Sequence, residues 1–339
     1  MMIFPPTIQA IAIRKTGGPE VIEKMAIPFP KAEPDHVVVK VEFFGINHID
    51  TYHRNGLYPI DTLPSVLGCE AAGRVVALPA DRNVVNMPEE GCRHRKSCQR
   101  RRNISNSKRR TTLVSMPTLS VPDTVSTSTA ASILVQGLTA VTFMEEAYKV
   151  KRGDTIFIHT VAGGLGILMT QLAKHLGATV IGTTSTSEKA HYARSNGADH
   201  VICYKTEDVV ARVLDITNGE GVDAIFDGVG RDTFEMDFKF MKRKGTLVSV
   251  GNASGAVPSF DLEKLSSKNV TLVRPTMNHY NVTFEEAHRN GQRLRGLVES
   301  GTLKARVHKE YPFSAEGVRQ AHADLTRGQT MGKLVVKVS

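Results

Sequence analysis

Residues 155–177 read TIFIHTVAGGLGILMTQLAKHLG, and this stretch decides the fold of the chain. It opens with a β-rich run at 155–158, passes through a turn that contains Gly163, Gly164 and Gly166, and continues as a helical pattern that ends at Gly177. Apolar residues in the helical part recur every three or four positions, which places one apolar stripe against a sheet. The stretch therefore predicts a strand, a glycine turn and a helix in succession.

Such a unit has an anion-binding end. The first turn of a helix presents free backbone N–H groups and the positive end of the helix dipole, so a pyrophosphate can bind at residues 163–166. The spacing Thr160-x-x-Gly163-x-x-Gly166 departs from strict G-x-G-x-x-G, and the turn alone is equally compatible with a purely structural role.

Further strand patterns follow the glycine turn at regular distances. They lie at 179–182, 200–204, 222–227, 245–251 and 270–273, with helical stretches between them. Strands that alternate with helices predict an α/β fold with a doubly wound parallel sheet, which binds its ligand at the carboxyl ends of the strands. This arrangement favours the dinucleotide interpretation of the glycine turn.

The end of the second of these strands indicates which dinucleotide is bound. NAD sites usually place Asp or Glu there for the ribose 2′-hydroxyl, whereas this chain has Gly182, two threonines and Ser185, with Lys189 shortly after. No acid repels a 2′-phosphate at this position, and the hydroxyls and the lysine can bind one. The sequence therefore favours NADP(H) over NAD, although Lys189 is also compatible with a solvated helix position.

Length and composition agree with a large folded protein. The chain has 339 residues, 41% of them hydrophobic, which is enough for two domains with a sizeable core. No apolar run approaches the roughly 18 to 20 residues needed to cross a membrane, and the first ten residues do not resemble a signal peptide. We expect a cytoplasmic location and free thiols at the four cysteines.

The net charge of +9 comes from one segment. Residues 93–110 contain nine Lys or Arg and no acid, while 34 bases balance 34 acids in the rest of the chain. The net charge therefore does not indicate that the protein as a whole binds nucleic acid, and only the role of residues 93–110 needs an explanation.

Motifs spread along the chain carry a specific resemblance. After β-rich stretches at 8–14 and 36–44 come GINHIDTYHRNGLYP at 45–59 and PSVLGCEAAG at 64–73, and ILVQGLTA, FDGVG and RGQTMGK follow at 133–140, 226–230 and 327–333. Together they resemble the medium-chain dehydrogenase/reductase superfamily, and within it the zinc-free NADPH:quinone oxidoreductases of the zeta-crystallin type. The resemblance implies a GroES-like β domain, residues 1–132 and 273–339, around a Rossmann dinucleotide-binding domain, residues 133–272.

The resemblance also implies the site residues. Those expected near the electron acceptor are Asn47, Asp50, Tyr52 and Tyr58, with Tyr52 as the candidate proton donor. The residues alone favour structural roles, with Asn47 as a helix cap and Tyr52 as a packing residue, and the resemblance favours function. Those expected at NADPH are Thr139, Gly163, Gly164, Gly166, Ser185, Lys189, Tyr204, Asn252 and Arg327. Arg327 and Lys333 also fit simple surface charges, and we interpret His159, at a strand end, as structural.

The zinc alcohol dehydrogenases share this fold, so we compared their ligand positions. By motif, their catalytic ligands correspond to Asn47, Cys69 and Gln136, and only the cysteine is a plausible zinc ligand. Cys92, Cys98 and the intervening His94 are too few for the closed structural site. We therefore expect no metal and no zinc-dependent alcohol oxidation.

The basic segment departs from the resemblance. Relatives carry two strands of the β domain here, whereas residues 89–116 are rich in Arg, Ser and Asn and lack strand alternation. We interpret this stretch as the product of a shifted reading frame that forms a poorly ordered loop, and the alternative is an evolved nucleic-acid-binding arm.

The sequence thus predicts a cytoplasmic, zinc-independent, NADPH-dependent quinone reductase. One alternative is a reductase of the carbon–carbon double bond in enals and enones, which needs the same hydride geometry with a different acceptor pocket. Another is a nucleotide-loaded RNA-binding protein of the zeta-crystallin type. The resemblance further implies a homodimer.

Overall fold

The computed structural model describes residues 5–30, 37–77, 110–114 and 119–339, with the backbone alone for 110–114. The chain forms two compact units. The first comprises Met1–Ala131, Glu310–Ala323 and Val335–Ser339, and the second comprises Ser132–Lys309 and Asp324–Leu334.

Fifteen strands and nine α-helices are present in the described ranges. The strands are β1 Thr7–Ile13, β2 Ile22–Pro28, β3 Val38–Ile46, β4 Ser65–Val66, β5 Glu70–Ala77, β6 Arg110–Val114, β7 Leu119–Ser120, β8 Thr155–Ile158, β9 Thr179–Thr184, β10 His200–Cys203, β11 Val222–Asp227, β12 Met241–Ser249, β13 Thr271–Val273, β14 Val307–Pro312 and β15 Lys333–Lys337. The helices are α1 His48–Asn55, α2 Thr127–Thr142, α3 Gly164–Leu176, α4 Ser187–Ser195, α5 Val209–Ile216, α6 Phe234–Asp237, α7 Glu263–Ser266, α8 Phe284–Glu299 and α9 Ala315–Thr326.

The second unit contains the predicted parallel sheet. Its six strands lie in the order β10-β9-β8-β11-β12-β13, and every neighbouring pair is parallel. The order reverses beside β8, which is the strand that leads into the glycine turn, and ligands bind at such switch points. The predicted α/β class with a doubly wound sheet is confirmed, and the five predicted strands after β8 are all present.

Buried aromatic and aliphatic side chains hold this sheet to its helices. Phe157 of β8 and Phe240 are completely buried, and their ring centroids are 4.8 Å apart. Ile181 of β9, Ile225 of β11 and Leu247 of β12 belong to the same cluster. Parallel strands buried on both faces need such nearly continuous apolar runs.

The first unit is a β domain. A three-stranded sheet has the order β2-β1-β4, and a six-stranded sheet has the order β14-β15-β3-β5-β6-β7. Helix α1 follows β3 directly, so the strand fixes the position of the helix that carries the predicted acceptor residues.

One prediction for the basic segment is wrong. We expected no strand within 89–116, but β6 pairs antiparallel with β5, with Glu70 opposite Val114 and Arg74 opposite Arg110. Backbone hydrogen bonding forms this ladder whatever side chains the strand carries, which is why composition did not reveal it. The remainder of the segment, including Cys92, His94 and Cys98, lies outside the described residues.

The second predicted boundary also differs from the division into units. We placed it at residue 273, whereas the second compact unit continues to Lys309 and includes α8. Arg293 of this helix forms an ion pair with Glu145 at 2.7 Å. A Cβ built on Gly137 would lie only 2.5 Å from Leu294, so α8 packs directly against α2.

Helix α2 and the π-helical turn after it form an apolar helix. Thr127–Ala147 spans 21 residues and contains an 18-residue window with a mean hydropathy of 1.2, which meets the length and composition of a membrane span. The expectation that no apolar run approaches this length is therefore wrong. Of its most apolar window, 72% is buried inside the protein, as in the core helix of a folded domain.

The core of the second unit gives a stability prediction. Phe157→Ala should lower the free energy of unfolding of this unit by roughly 3–5 kcal/mol, because it leaves a cavity between β8 and Phe240. The measurement is urea unfolding followed by circular dichroism. Leu262→Ala is the matched control, since Leu262 is 72% exposed and its loss should leave the midpoint unchanged. Equal effects of the two substitutions would contradict the assigned core.

Candidate functional site

The glycine turn leaves backbone donors open at the start of α3. Thr160 adopts the left-handed region at φ 55°, and its carbonyl accepts a hydrogen bond from Gly163 N at 2.8 Å. Gly163 is the N-cap of α3 and has no side chain that could accept from the first N–H groups of the helix. These donors and the helix dipole suit a phosphate group.

Close packing requires glycine at position 166 of this turn and leaves little room for a side chain at position 164. A Cβ on Gly166 would lie 2.4 Å from the carbonyl oxygen of Thr160. A Cβ on Gly164 would lie 2.6 Å from the side chain of Gln136. The missing side chain at Gly166 allows the end of β8 and the start of α3 to meet, which keeps the open N–H groups at the strand ends, and the missing side chain at Gly164 leaves room for Gln136 of α2.

The end of β9 presents hydroxyls and a lysine, without an acid. Ser185 follows this strand, and Thr186 caps α4 by accepting from Lys189 N at 3.3 Å. Lys189 Nζ donates to the carbonyl oxygen of Gly328 at 2.5 Å. Burial and the neighbouring charge of Lys205 lower the pKa of Lys189 from its ordinary value, and an anion beside it would oppose that change.

Tyr204 lies at the same edge. Its backbone N donates to Thr184 O at 3.1 Å, and its side chain is 50% exposed. The structure thus brings Ser185, Lys189 and Tyr204 together at the carboxyl ends of β9 and β10. A large ring that is left exposed beside a lysine can stack on a ligand.

The C-terminal tail lies against the glycine turn. Gly332 forms a parallel β-bridge with Gly163, and Lys333 N donates to Arg306 O at 2.8 Å. Lys333 is only 2% exposed, so a surface position is wrong for this residue. Arg327 remains exposed and forms an ion pair with Asp324 at 3.7 Å.

A small pocket lies beside the turn. It is lined by Gln136, Gly164, Ile167, Tyr192, Ala305, Arg306, Gly332 and Lys333. The guanidinium of Arg306 stands over the Tyr192 ring, 5.0 Å from its centroid. Arg306 and Tyr192 were not predicted, because nothing in the sequence near either residue indicates its contact with the other, more than a hundred positions away.

Two predicted nicotinamide neighbours have partners of their own. The Thr139 hydroxyl donates to Val135 O at 2.7 Å, within α2. Asn252, with its amide oriented to satisfy both groups, donates to Gly251 O at 2.9 Å and accepts from Arg274 Nη2 at 3.1 Å. Arg274 also donates to Ser249 O at 2.9 Å, so it fixes the end of β12, a role that its sequence position after β13 did not reveal.

The predicted acceptor residues come together around α1 in the first unit. Asn47, Asp50 and Tyr52 are 6%, 3% and 7% exposed. The Tyr52 and Tyr58 rings contact edge to face with centroids 5.1 Å apart, and Tyr58 N donates to Tyr52 O. Two aromatic rings and a buried amide can bind a flat, electron-poor ring.

Asn47 and Asp50 also have clear structural partners. Asn47 is the N-cap of α1, and its backbone N donates to Asp50 Oδ2 at 2.7 Å, as in a capping box. Its side-chain Nδ2 donates to Glu70 Oε1 at 2.7 Å. Glu70 is 4% exposed and was missed, although it directly follows Cys69 in the 64–73 motif. A role in the reaction for Asn47 and Asp50 remains a prediction.

These residues do not fit a catalytic zinc. Asn47 uses its amide as a donor to Glu70 and contacts Cys69 Sγ at 3.5 Å, while Gln136 lies against Gly164. Zinc requires about three protein ligands and an open position, and only Cys69 among the three corresponding residues is a ligand of the usual kind.

Family models match both parts of the chain. Residues 33–115 match the alcohol dehydrogenase GroES-like domain, and residues 164–292 match the zinc-binding dehydrogenase domain. The first match covers most of the β domain, and the second begins at the glycine turn.

Individual relatives match almost the whole chain. Quinone oxidoreductase 1 of Escherichia coli is 35% identical over 95% of this chain and 97% of its own length. The 2-haloacrylate reductase of a Burkholderia species is 33% identical over 97% of this chain and 98% of its own. The crystal structure of the E. coli quinone oxidoreductase complexed with NADPH superposes with a TM-score of 0.84 at 33% identity, and the match covers 98% of this chain and 100% of that one. On this evidence the chain belongs to the quinone oxidoreductases of the zeta-crystallin type, in the medium-chain dehydrogenase/reductase superfamily.

Proposed function

We propose that the protein is an NADPH-dependent reductase of quinones that works without zinc. The observation that carries this proposal is the carboxyl end of β9, where Thr183, Thr184 and Ser185 stand in place of the acid that is usual in NAD sites and Lys189 follows on α4. The E. coli relative, whose structure contains NADPH, supports the same cofactor.

The second unit would bind and orient this cofactor. Its glycine turn at Gly163, Gly164 and Gly166, with the open N–H groups of the first turn of α3, suits the pyrophosphate. Lys189, Ser185 and Tyr204 suit the 2′-phosphate and adenine ribose. Thr139 and Asn252 are the proposed neighbours of the nicotinamide, and Arg327 is the proposed additional phosphate ligand. When bound, the nicotinamide supplies the hydride.

The first unit would bind the acceptor. The Tyr52 and Tyr58 rings offer a stacking surface, and the Asn47 amide offers a hydrogen bond in a buried position. A quinone that receives a hydride carries its negative charge on oxygen, which water can protonate. The chain therefore needs no strong general acid for this substrate, and Tyr52 is the candidate donor where an acceptor requires one.

Reduction of an activated double bond is the second candidate function. It is supported by the similarity to the 2-haloacrylate reductase at 33% identity. Hydride addition to such a substrate creates a carbanion or enolate that must be protonated, so this reaction depends on a donor more than quinone reduction does.

We also propose the homodimer that the resemblance implies. It is supported by β13, which is the last strand of the six-stranded parallel sheet in the described part of the second unit. The cytoplasmic location and RNA binding remain predictions, and most of the basic segment on which RNA binding rests lies outside the ranges that the structure describes.

Lys189→Ala tests the cofactor proposal. The dissociation constant for NADPH should rise roughly 10-fold or more, because a charge-assisted hydrogen bond to the 2′-phosphate is lost, and the constant for NADH should stay unchanged. Titration of the cofactor fluorescence with the full chain measures both constants.

Lys149→Ala is the matched control for this measurement, since Lys149 is exposed and lies far along the chain from β9. It should bind both cofactors as the wild type does. An equal loss of NADPH and NADH affinity in Lys189→Ala would contradict a 2′-phosphate site. Failure of the wild type to bind NADPH would overturn the proposed function.

Tyr52→Phe separates the two acceptor classes. With a simple quinone, kcat/KM should stay within about 3-fold, because the ring remains and water protonates the product. With an enone, kcat should fall by roughly 10²-fold or more, because the proton donor is lost. Steady-state oxidation of NADPH measures both rates.

Tyr52→Ala completes this test, because it removes the ring as well as the hydroxyl. It should raise KM for the quinone, which Tyr52→Phe should not do. If Tyr52→Phe and Tyr52→Ala behave alike with the quinone, the ring of Tyr52 does not bind the acceptor.

A further inference from the structure

A buried pair, His159 and Asp237, directly precedes the glycine turn and has no part in the chemistry proposed above. His159 is 4% exposed and Asp237 is completely buried. His159 Nε2 lies 2.8 Å from Asp237 Oδ1, although the two residues are 78 positions apart. His159 follows β8, and Asp237 ends α6, so the pair joins two elements of the second unit.

The other ring nitrogen of His159 reaches the edge of the cofactor site. His159 Nδ1 lies 3.2 Å from Thr183 Oγ1, and this hydroxyl also accepts from Thr160 N at 3.4 Å. Val161 N donates to Thr183 O at 3.0 Å. Thr183 therefore connects the end of β9, where the 2′-phosphate residues begin, with the turn that holds the open N–H groups.

The pair is not arranged for maximum stability. Asp237 Oδ2 is buried and has no hydrogen-bond partner among the described residues. Among the described residues, the other carboxylate that acts on the pair is Asp227 of β11, which is also buried and accepts from Val229 N at 2.7 Å and Thr233 Oγ1 at 2.9 Å. Apolar residues of similar volume often replace buried ionic groups without loss of stability, so this arrangement calls for another reason.

The charges around the imidazole favour a bound proton. Burial by itself lowers the pKa of His159, but Asp237 and Asp227 together raise it above its ordinary value. Burial raises the pKa of Asp237 to about 6, against the opposing effect of His159. A protonated imidazole donates from both nitrogens, and both nitrogens of His159 have an oxygen within hydrogen-bond distance.

We propose that His159 and Asp237 are positioning residues that hold one buried proton and thereby fix Thr183 and the Thr160 turn in the geometry that binds NADPH. Neither residue is assigned a contact with the cofactor. The inference rests on the proposed NADPH-dependent function, and it makes cofactor affinity depend on the protonation of a group that is shielded from solvent.

The direction of the pH dependence follows from the two groups. As pH rises through the raised pKa of His159, the imidazole becomes neutral and one ring nitrogen changes from donor to acceptor. The Thr183 hydroxyl must then donate to Nδ1 instead of accepting from it, which changes its orientation, and NADPH affinity falls. As pH falls through about 6, Asp237 takes up a proton, the counter-charge of His159 disappears, and affinity falls again. Affinity is therefore highest between these two steps.

Asp237→Asn tests the inference by keeping the shape and removing the charge. At about pH 7.5 the dissociation constant for NADPH should rise roughly 3- to 10-fold, as expected for one hydrogen bond. The alkaline loss of affinity should move to lower pH, because a neutral amide no longer raises the pKa of His159. Cofactor titrations of the full chain between about pH 5.5 and 9 measure both effects.

Two further variants separate positioning from general stability. Asp232→Asn makes the same change of charge at a side chain that is 62% exposed, and it should leave the affinity and the pH profile unchanged. Thr183→Val should weaken NADPH binding and flatten its pH dependence. The double variant Thr183→Val, Asp237→Asn should behave like Thr183→Val alone, because the hydroxyl that links His159 to the Thr160 turn is already lost.

Three results would overturn the inference. A wild-type pH profile in Asp237→Asn, even with reduced affinity or thermal stability, would show a purely structural pair. A divalent cation retained after chelator treatment, and lost in Asp237→Asn, would show that a cation and not a proton joins His159, Asp227 and Asp237, whose ligand atoms lie within 4.8 Å of one another. If the wild type does not bind NADPH at all, the proposed function is overturned together with the inference. If the wild type binds NADPH and only the pH results fail, the inference alone is overturned.

Discussion

The contact between Gly166 and the carbonyl of Thr160 is the constraint on which the second unit depends. A Cβ at this position would lie 2.4 Å from that oxygen, so any other residue would push α3 away from β8. The open N–H groups at the start of α3 would then move away from the carboxyl end of β9 and from the C-terminal segment around Gly332. The absence of a Cβ at Gly166 thus sets the distance between the two parts of the proposed cofactor site, the glycine turn and the carboxyl end of β9.

Local signals predicted the second unit well because its structure is built from adjacent elements. Apolar strands, glycine turns and amphipathic helices alternate along the sequence, and β8 and β11 begin and end at the predicted residues. Contacts between residues far apart in the sequence were harder to predict. Lys333 was compatible with a surface charge, yet the bridge between Gly332 and Gly163 buries it beside the turn, and no residue spacing encodes that bridge.

The candidate site shows the same division. Glycines and the missing acid after β9 are local features, and the sequence displays them directly. Arg274, Arg306 and Glu70 matter through partners elsewhere in the chain, and an isolated charged residue carries no sign of its partner. Asn47 has a clear local signal, but that signal has two explanations. The residue matches a functional motif and also caps a helix, and one position can do both.

The first unit is closed by residues from the far end of the chain. Val338 N donates to Glu42 O at 2.8 Å, and Arg319 Nη2 donates to Ile22 O at 2.7 Å. During synthesis, the strands of the first unit that precede Ala131 must therefore wait for residues beyond Lys309 before their sheet is complete, whereas most of the second unit is continuous in sequence. The first unit consequently completes its fold only after most of the second unit has been translated.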